Sequence, residues 1–553
     1  MADEAPSPSA AAKDKKEHQP PKGATHKVAW TGDTAQAADV EVISEWIVLR
    51  KKERPAAEMF HTYYRLADAS GRRPVSFVFN GGPGASSAYL HVGGLSPRRV
   101  LFKPDGNLHP PPVQLVNNPE SWIAFTDLVF VDPVGTGFSR IIEPEKKSDD
   151  KEKPDPSKTV EEKEFYALNR DLESLGEFIE RFLSKYKLWD APVAIIGESY
   201  GGFRTAKLVR RLQEMHGVGL LTAIAISPVL EWALLDRSDY DVLRSMDCFC
   251  TMALAATFHG RSRIFAAGTP VETQRREIES FATRELAHSL LVGTAHDADE
   301  QARVFARAAD FLGLPVELVR LAHGRVPFWR FARELLKSER KLVGFYDATI
   351  TGIDPFPDRE YHSGPDPTLP GIERVFASGI NHVLRAEIGI DSERRYELLS
   401  MDVNREWKRD EERHAFAPPV GATDDLRYAM SMNPDMKVLI AHGDALLLVG
   451  AVGRADEAGA ATAREAVHPP FRRRPHVLHL GRLAPRLPRL GAELLYVARL
   501  RLGPDFGSRA SGFGSRKNEA TLLTRGSSGA AASASSRPRS SRTTARPCCN
   551  RQR

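Results

Sequence analysis

The sequence predicts an α/β protein with a mostly parallel central sheet, helices on both faces of the sheet and a helical cap inserted into it. Three apolar runs, at residues 75–79, 128–131 and 193–196, are each followed closely by glycine or proline. Such runs are typical of strands buried on both faces of a parallel sheet. An amphipathic pattern at 165–186 predicts a helix between the second and third strands. The segment 231–423 is mostly helical in pattern and predicts the cap.

Size, charge and cysteine content narrow the class of protein. The 553 residues are 42% apolar, which is enough to bury a large core. The 77 basic and 72 acidic residues leave a net charge of +5, too nearly balanced to favour a nucleic-acid or membrane partner. Cys248, Cys250, Cys548 and Cys549 have neither a disulfide-framework spacing nor a metal-binding spacing. We therefore expect no metal and no cofactor.

The N-terminal segment predicts a disordered tail over residues 1–25, because it is rich in Ala, Pro, Lys and Glu. It contains no apolar region of the kind that a secretory signal needs. No stretch approaches the roughly 20 apolar residues of a membrane-spanning helix. We expect a soluble protein with the cytoplasm as its default compartment, unless the gene starts further upstream.

Further patterns extend the predicted sheet and cap. Alternating residues at 40–49 and 59–66 predict two strands paired as a hairpin, and 220–226 and 436–441 predict two more buried strands. Residues 301–312 predict a helix that ends at Gly313. The resulting domains are a tail 1–25, a first core part 26–230, a helical cap 231–425, a last core part 426–480 and a basic low-complexity tail 481–553.

From about Asp444 onward the composition changes to Arg, Ala, Gly, Ser and Pro. Two explanations are a frame error or read-through in the gene, and a genuine basic tail that binds nucleic acid or an acidic partner. The sequence favours the first, because strand and aromatic signals fade where the sheet still needs its final strand.

The motif Gly-Glu-Ser-Tyr-Gly-Gly at 197–202 follows a predicted strand and precedes a predicted helix. This is G-x-S-x-G in the strand–turn–helix context that holds a nucleophilic serine on a strained turn. The motif predicts Ser199 as a nucleophile. The alternative is a glycine-containing turn in which Ser199 only caps the helix.

A second glycine-rich run, Asn-Gly-Gly-Pro-Gly-Ala-Ser-Ser at 80–87, directly follows the strand 75–79. Acyl transfer needs two preorganised donors for the developing oxyanion, and the backbone N–H groups of Gly82 and Tyr200 are the natural pair. A plain tight turn is the alternative. A phosphate loop is disfavoured because no Lys-Ser/Thr pair follows.

Four motifs in order, at 80–87, 118–122, 131–139 and 197–202, resemble those of the serine carboxypeptidases, a peptidase family (S10) within the α/β-hydrolase superfamily. Clear resemblance covers residues 40–228, and a looser one continues to Gly443.

The resemblance implies metal-independent release of C-terminal residues through an acyl-enzyme at Ser199. It also implies that Asn80, Gly81 and Glu198 bind the free carboxylate of a peptide substrate. A protonated Glu198 can donate a hydrogen bond to that carboxylate, which implies an acidic pH optimum.

The remaining two catalytic positions depart from the family pattern. A family glutamate before Gly-Pro is absent, since this chain has Gly-Leu-Ser-Pro at 94–97. The family aspartate follows the strand 438–443, and Asp444 stands about two residues early as the candidate orienting acid. His476 is the candidate base and His479 competes with it, although neither follows a glycine. We expect His442, on the strand itself, to be structural.

Two other functions remain open at this stage. A related esterase or acyltransferase would use the same machinery on esters, and an inactive scaffold or binding protein would act through its basic tail. The sequence does not define which substrate side chain the protein prefers, and it does not define the oligomeric state.

Overall fold

A computed structural model of the chain describes residues 18–34, 37–67, 72–104, 106–142, 162–235, 241–359, 365–410, 420–444 and 446–447. Its strands are β1 (Ala24–Thr31), β2 (Ala37–Lys51), β3 (Arg54–Leu66), β4 (Val75–Phe79), β5 (Arg98–Val100), β6 (Leu115–Asn117), β7 (Asp127–Val131), β8 (Arg140–Ile141), β9 (Val193–Glu198), β10 (Leu220–Ile226), β11 (Lys341–Val343), β12 (Thr351–Ile353) and β13 (Lys437–Ala441).

The central sheet has the strand order β1-β2-β3-β7-β4-β9-β10-β13, and β8 pairs with β3. The strands β7, β4, β9, β10 and β13 run parallel, whereas β1, β2, β3 and β7 pair antiparallel. Two further pairs, β5-β6 and β11-β12, lie outside this sheet. The prediction of a mostly parallel sheet is confirmed, and its antiparallel edge includes the predicted hairpin, now β2-β3.

The N-terminal edge of the sheet differs from the prediction. Strand β1 was not predicted, and it begins at Ala24, inside the segment 1–25 that was predicted to be a disordered tail. That prediction is therefore wrong for Ala24 and Thr25, which pair with Ser44 and Ile43 of β2. Most of β1 is exposed or half-buried, so its sequence lacks the apolar alternation that marks a strand.

The helices are α1 (Ala88–Leu90), α2 (Leu168–Tyr186), α3 (Tyr200–Met215), α4 (Val242–Phe258), α5 (Val271–Phe281), α6 (Ala287–Val292), α7 (Ala298–Leu312), α8 (Val316–Leu321), α9 (Phe328–Glu334), α10 (Pro370–Asn381), α11 (Met401–Glu406) and α12 (Thr423–Met432). Short π-helical turns occupy His91–Leu95, Ala282–Leu286 and His382–Glu387. Short 3₁₀ turns occupy Trp122–Ala124, Glu162–Tyr166, Trp232–Leu234, Gly293–Ala295 and Lys337–Glu339.

The predicted helices form because their apolar stripes face the sheet or the cap. Helix α2 begins three residues later than its apolar pattern, since Phe165 lies in a 3₁₀ turn. Helix α7 begins at Ala298 because the Asp297 carboxylate accepts hydrogen bonds from the backbone N–H groups of Asp299 and Glu300. It ends as predicted at Gly313, whose φ of 64° is left-handed.

Three hydrophobic clusters organise the described residues. One face of the sheet packs on α2 and α3, and the opposite face packs on α1 and α10. The third cluster joins α4 to α9 and forms a core of its own. The predicted cap range 231–425 thus contains more than a separate helical unit, because α10 packs on the sheet. No helix in the described ranges has both the length and the apolar character needed to cross a bilayer.

Strand β13 is half-buried along its whole length, although a strand buried on both faces was predicted at 436–441. Among the described strands it stands last in the sheet order, and β10 pairs with its inner edge. Beyond it, Leu446 packs in the core cluster on the α2–α3 face, and the backbone N–H of Leu447 donates to Phe345 O in the cap. The described chain therefore leaves the sheet toward the cap.

Candidate active site

Ser199 lies on the turn between β9 and α3, with φ 59° and ψ −123°. This backbone conformation is strained for a residue with a side chain. The turn is tight enough that a Cβ on Gly197 would lie 1.9 Å from Gly201 O. The Ser199 side chain makes no capping hydrogen bond to α3, so the alternative that it serves as a helix cap is wrong. Its hydroxyl stands at the carboxyl end of a central strand, as a nucleophile requires.

The glycine loop 80–87 reaches the same edge because β4 pairs in parallel with β9, with Phe79 opposite Gly197. A Cβ on Gly81 would lie 2.5 Å from the Tyr200 nitrogen and 2.8 Å from Glu198 O. Only glycine permits this approach of the two loops. Gly82 follows with φ 100° and is exposed. Of the predicted oxyanion pair, Gly82 therefore stands on the glycine loop and Tyr200 at the start of α3, where the loop and the helix are in contact.

Asn80 and Glu198, both predicted to bind a carboxylate, are in direct contact. The Asn80 Nδ2 group donates to Glu198 Oε2 at 3.0 Å. The Asn80 Oδ1 atom accepts from the Leu90 N–H at 3.0 Å, so both ends of the amide are fixed. The structure thus brings Asn80, Gly81, Gly82, Glu198 and the Ser199 turn together.

Burial raises the pKa of Glu198 to about 7, and the hydrogen bond from Asn80 opposes this shift only in part. The cause is desolvation, which disfavours the charged carboxylate. Glu198 is consequently protonated below neutral pH. With Oε2 accepting from Asn80, Oε1 is the oxygen that can carry a proton toward an anion.

A buried ion pair beneath the loop was not predicted. Arg204 on α3 donates from Nε and Nη2 to the two carboxylate oxygens of Asp171 at 2.7 and 3.2 Å, and both residues are buried. A further N–H of Arg204 donates to Asn80 O at 2.9 Å, and its guanidinium lies 4.7 Å from the centroid of the Tyr200 ring. This pair fixes the backbone at Asn80 relative to the turn. Sequence spacing contains no signal for it.

Asp132, in the motif 131–139, holds the far end of the glycine loop. Its Oδ1 accepts from the backbone N–H and the hydroxyl of Ser87 at 2.9 and 2.8 Å, and from the Tyr396 hydroxyl at 3.1 Å. Burial raises the pKa of Asp132 to about 6, although these hydrogen bonds oppose the shift. The motif is therefore a support for the loop 80–87.

Asp444 forms an ion pair with the cap. Its two carboxylate oxygens each lie 2.8 Å from Nη2 of Arg275 on α5. This ion pair links the end of β13 to the cap, and it competes with the orienting role predicted for Asp444. Nearby, Nδ1 of His442 lies 3.2 Å from Gly443 O. The candidate base His476 and its competitor His479 lie outside the described residues.

In the described part of the chain, no group of three or more His, Cys, Asp or Glu side chains is arranged to hold a metal ion. The sheet, the serine on its strained turn and the facing glycine loop define an α/β-hydrolase. Residues 36–219 match the family model described as serine carboxypeptidase, Peptidase S10. The matched segment contains the glycine loop 80–87 and the Ser199 turn, so this part of the chain is similar to the serine carboxypeptidase family.

Solved structures resemble the chain only distantly. Kex1Δp, a prohormone-processing carboxypeptidase from Saccharomyces cerevisiae, is 16% identical with a TM-score of 0.43, covering 78% of this chain and 80% of its own. Proline iminopeptidase from Mycobacterium smegmatis is 12% identical with a TM-score of 0.30, covering 82% of this chain and 99% of its own. No curated protein sequence matches significantly.

Proposed function

We propose that this chain is a serine-type carboxypeptidase that releases C-terminal residues through an acyl-enzyme. The observation that carries the proposal is the contact of the Asn80–Gly82 loop with the Ser199 turn, with Asn80 Nδ2 3.0 Å from Glu198. A carboxylate-binding group beside a nucleophile suits an enzyme that cleaves next to a free chain end.

In the proposed reaction Ser199 Oγ attacks the carbonyl carbon of the last peptide bond and gives its proton to a histidine base. The base returns that proton to the leaving amine as the C–N bond breaks, which leaves an ester on Ser199. A water molecule then attacks the ester, releases the shortened peptide and restores the serine hydroxyl. His476 is the predicted base for both proton transfers, and Asp444 is its predicted orienting acid.

In this proposal the backbone N–H groups of Gly82 and Tyr200 stabilise the negative charge that forms on the carbonyl oxygen. Loss of one such donor typically costs about 3 kcal/mol of barrier stabilisation. The Asn80 amide, the Gly81 N–H and protonated Glu198 are the proposed groups that bind the terminal carboxylate of the substrate. A protonated carboxyl is the only form of Glu198 that donates a hydrogen bond to an anion.

The proposal is tested with N-blocked dipeptides that end in a free carboxylate, an amide or a methyl ester. A carboxypeptidase should lose most of its kcat/KM when the carboxylate is capped as the amide. Equal turnover of all three would indicate an esterase or acyltransferase, and no turnover of any would indicate an inactive protein.

A fluorophosphonate probe tests the nucleophile separately. The full chain should be labelled, and Ser199→Ala should abolish both labelling and turnover, with kcat falling roughly a thousandfold or more. Ser227→Ala is the matched control, because Ser227 also has a left-handed φ, of 44°, at the end of the neighbouring strand β10. Labelling that survives Ser199→Ala would contradict the proposal.

A further inference from the structure

A buried cation binds the peptide group between Asn80 and Gly81. Nη1 of Arg204 donates to Asn80 O at 2.9 Å. The peptide bond between Asn80 and Gly81 is trans, so the Asn80 carbonyl and the Gly81 N–H lie in one plane and point in opposite directions. Arg204 therefore binds one end of the peptide group whose other end, the Gly81 N–H, is proposed to bind the substrate.

Arg204 itself is held in a fixed orientation. Its Nε and Nη2 groups donate to the two carboxylate oxygens of Asp171 at 2.7 and 3.2 Å, and the two residues are only 1% and 5% exposed. Its guanidinium lies 4.7 Å from the centroid of the Tyr200 ring and 5.9 Å from that of Trp407. Because a guanidinium is planar, the two contacts with Asp171 also fix the direction of Nη1. Helices α2 and α3 together therefore set the position of Asn80 O.

Glycine at position 201 makes room for this contact. A Cβ on Gly201 would lie 2.8 Å from Asn80 O and 2.7 Å from Phe79 O, so the end of β4 lies directly against the first turn of α3. Gly201 and Arg204 both belong to the helix that follows the Ser199 turn. The same helix therefore positions the nucleophile turn and the Asn80–Gly81 peptide group.

The groups that are proposed to bind the substrate carboxylate carry no positive charge. They are the Asn80 amide, the Gly81 N–H and the Glu198 carboxyl. Burial raises the pKa of Glu198, the hydrogen bond from Asn80 opposes this shift, and the described residues that shift it include no cation. Asp171 offsets the charge of Arg204, so Arg204 does not act on the site as a free charge. An anion that is bound by neutral donors depends on the strength and direction of those donors.

We propose that Arg204 is a positioning residue for substrate binding, which acts through the Asn80–Gly81 peptide group to orient the Gly81 N–H and to strengthen it as a donor to the terminal carboxylate. The proposal rests on the proposed function, which puts that carboxylate at Asn80, Gly81 and Glu198. A cation that donates to the carbonyl of a peptide group polarises it, and its N–H becomes a stronger donor. Arg204 thereby affects the substrate without contact.

The effect should depend on the charge of the acceptor. A strengthened N–H gains most when it donates to an ionised carboxylate, because hydrogen bonds to charged groups are stronger than those to neutral groups. A C-terminal amide is neutral and gains little. Loss of the Arg204 contact should therefore weaken binding of a free acid far more than binding of its amide.

Two variants remove the contact in different ways. Replacement of Arg204 alone by an apolar residue would leave Asp171 charged and unpaired in the interior, which destabilises the fold. Asp171→Leu combined with Arg204→Met removes both charges, and apolar replacement of a whole buried pair is often neutral for stability. Arg204→Lys keeps a charge beside Asp171 but lacks the planar fork that reaches Asp171 and Asn80 O together.

The first measurement is binding to full-length Ser199→Ala protein, so that it does not depend on turnover. The ligands are an N-blocked dipeptide with a free carboxylate and its C-terminal amide. Adding Asp171→Leu and Arg204→Met should weaken binding of the free acid about tenfold, as expected for one weakened charge-assisted hydrogen bond. Affinity for the amide should stay unchanged. Arg204→Lys should show a loss in the same direction.

The second measurement uses chains that retain Ser199. The KM for the free acid should rise in both Arg204 variants while kcat changes little, because the lost interaction is present in the bound substrate and in the transition state alike. The rate of labelling by the fluorophosphonate probe should equal that of the parent, since the probe carries no carboxylate. A residue with only a structural role would change labelling and binding together.

A second ion pair on α3 provides the matched control. Nζ of Lys207, one turn further along the helix, lies 2.8 Å from Oδ2 of Asp425 on α12, and Lys207 is 7% exposed. Lys207→Met combined with Asp425→Leu replaces this pair with the same two apolar residues. It should keep the parent's full preference for the free acid.

The outcomes distinguish the two proposals. An unchanged preference for the free acid in both Arg204 variants overturns the positioning role while the carboxylate site stands. An equal fall in affinity for the acid and the amide, or a slower labelling rate, also overturns it. Equal affinity of the Ser199→Ala protein for the acid and the amide overturns the carboxylate site and, with it, the positioning role. Absence of fluorophosphonate labelling in the parent chain overturns the catalytic proposal alone.

Discussion

Replacement of Glu198 by glutamine should remove a pH dependence that the fold imposes on both binding and stability. The carboxyl faces the Asn80 amide, and the electrostatic neighbours that couple to it are Tyr89 and Tyr346. Burial raises its pKa from an ordinary 4.5 to about 7. A raised pKa means that the folded protein holds the proton more tightly than the unfolded chain does.

The sign and size of the stability effect follow from this shift. Below pH 4.5 the carboxyl is protonated in both states, so it carries no penalty. As pH rises from 4.5 to 7 the folded state loses stability, by at most about 3 kcal/mol at 1.36 kcal/mol per pKa unit. Glu198 retains some solvent-accessible surface, so screening reduces the effect to about 1–2 kcal/mol. Glutamine has no charge to desolvate, so this pH-dependent loss should vanish in Glu198→Gln.

Urea unfolding at pH 4.5 and pH 8 measures the predicted pH dependence of stability. The difference in unfolding free energy between Glu198→Gln and the parent should grow by about 1–2 kcal/mol between these two pH values, whereas Glu317→Gln, at an exposed acid in the first turn of the cap helix α8, should show no such change. The second consequence is kinetic. The KM of the parent for peptides with a free carboxylate should rise above pH 7, and that of Glu198→Gln should stay flat. A stability difference that is constant with pH would refute the assignment of a buried, protonated Glu198.

Three further predictions concern residues that hold the site in place. Gly197→Ala should prevent folding or strongly lower the midpoint of thermal denaturation, because its Cβ would lie 1.9 Å from Gly201 O. Gly219→Ala is the control and should leave the midpoint unchanged, because a Cβ there meets nothing within 4 Å. Arg204→Met leaves a buried carboxylate unpaired and should cost about 3–5 kcal/mol in chemical denaturation; a loss below about 1 kcal/mol would contradict the pairing. Arg275→Gln and Asp444→Asn should show a coupling of about 1 kcal/mol in a double-mutant cycle of unfolding free energies, and additive effects would disprove the tie to the cap.

The nucleophile turn and the facing loop could be predicted because their geometry is encoded locally. Gly197 stands near the end of β9 and Gly81 follows β4 by two residues, and at both positions a Cβ would collide with backbone. Glycine at these two positions therefore indicates, from the sequence alone, that another backbone segment approaches closely. The parallel pairing of β4 with β9 then brings the two loops to one edge of the sheet.

The side-chain contacts that hold the glycine loop 80–87 in place could not be predicted, because they join residues that are far apart along the chain. Asp132 and Tyr396 are 264 residues apart, and their hydrogen bond depends on how the segment after α10 packs. Arg204 stands in a helix whose charged residues are otherwise expected to be solvated, and its burial follows only from the tertiary contact with Asp171. The short strands β5, β6, β8, β11 and β12 contain two or three residues each, too few to show a period.

The position of β13 at the end of the sheet has a consequence for how the protein behaves in concentrated solution. Within the described ranges no strand pairs with the outer edge of β13, and Val438 and Ile440 of this strand pack against the core cluster on the α2–α3 face. Margins of this kind can recruit an extended segment from another molecule. If this edge is open to a second molecule, self-assembly that grows with concentration should begin at β13, and Val438→Lys should suppress it.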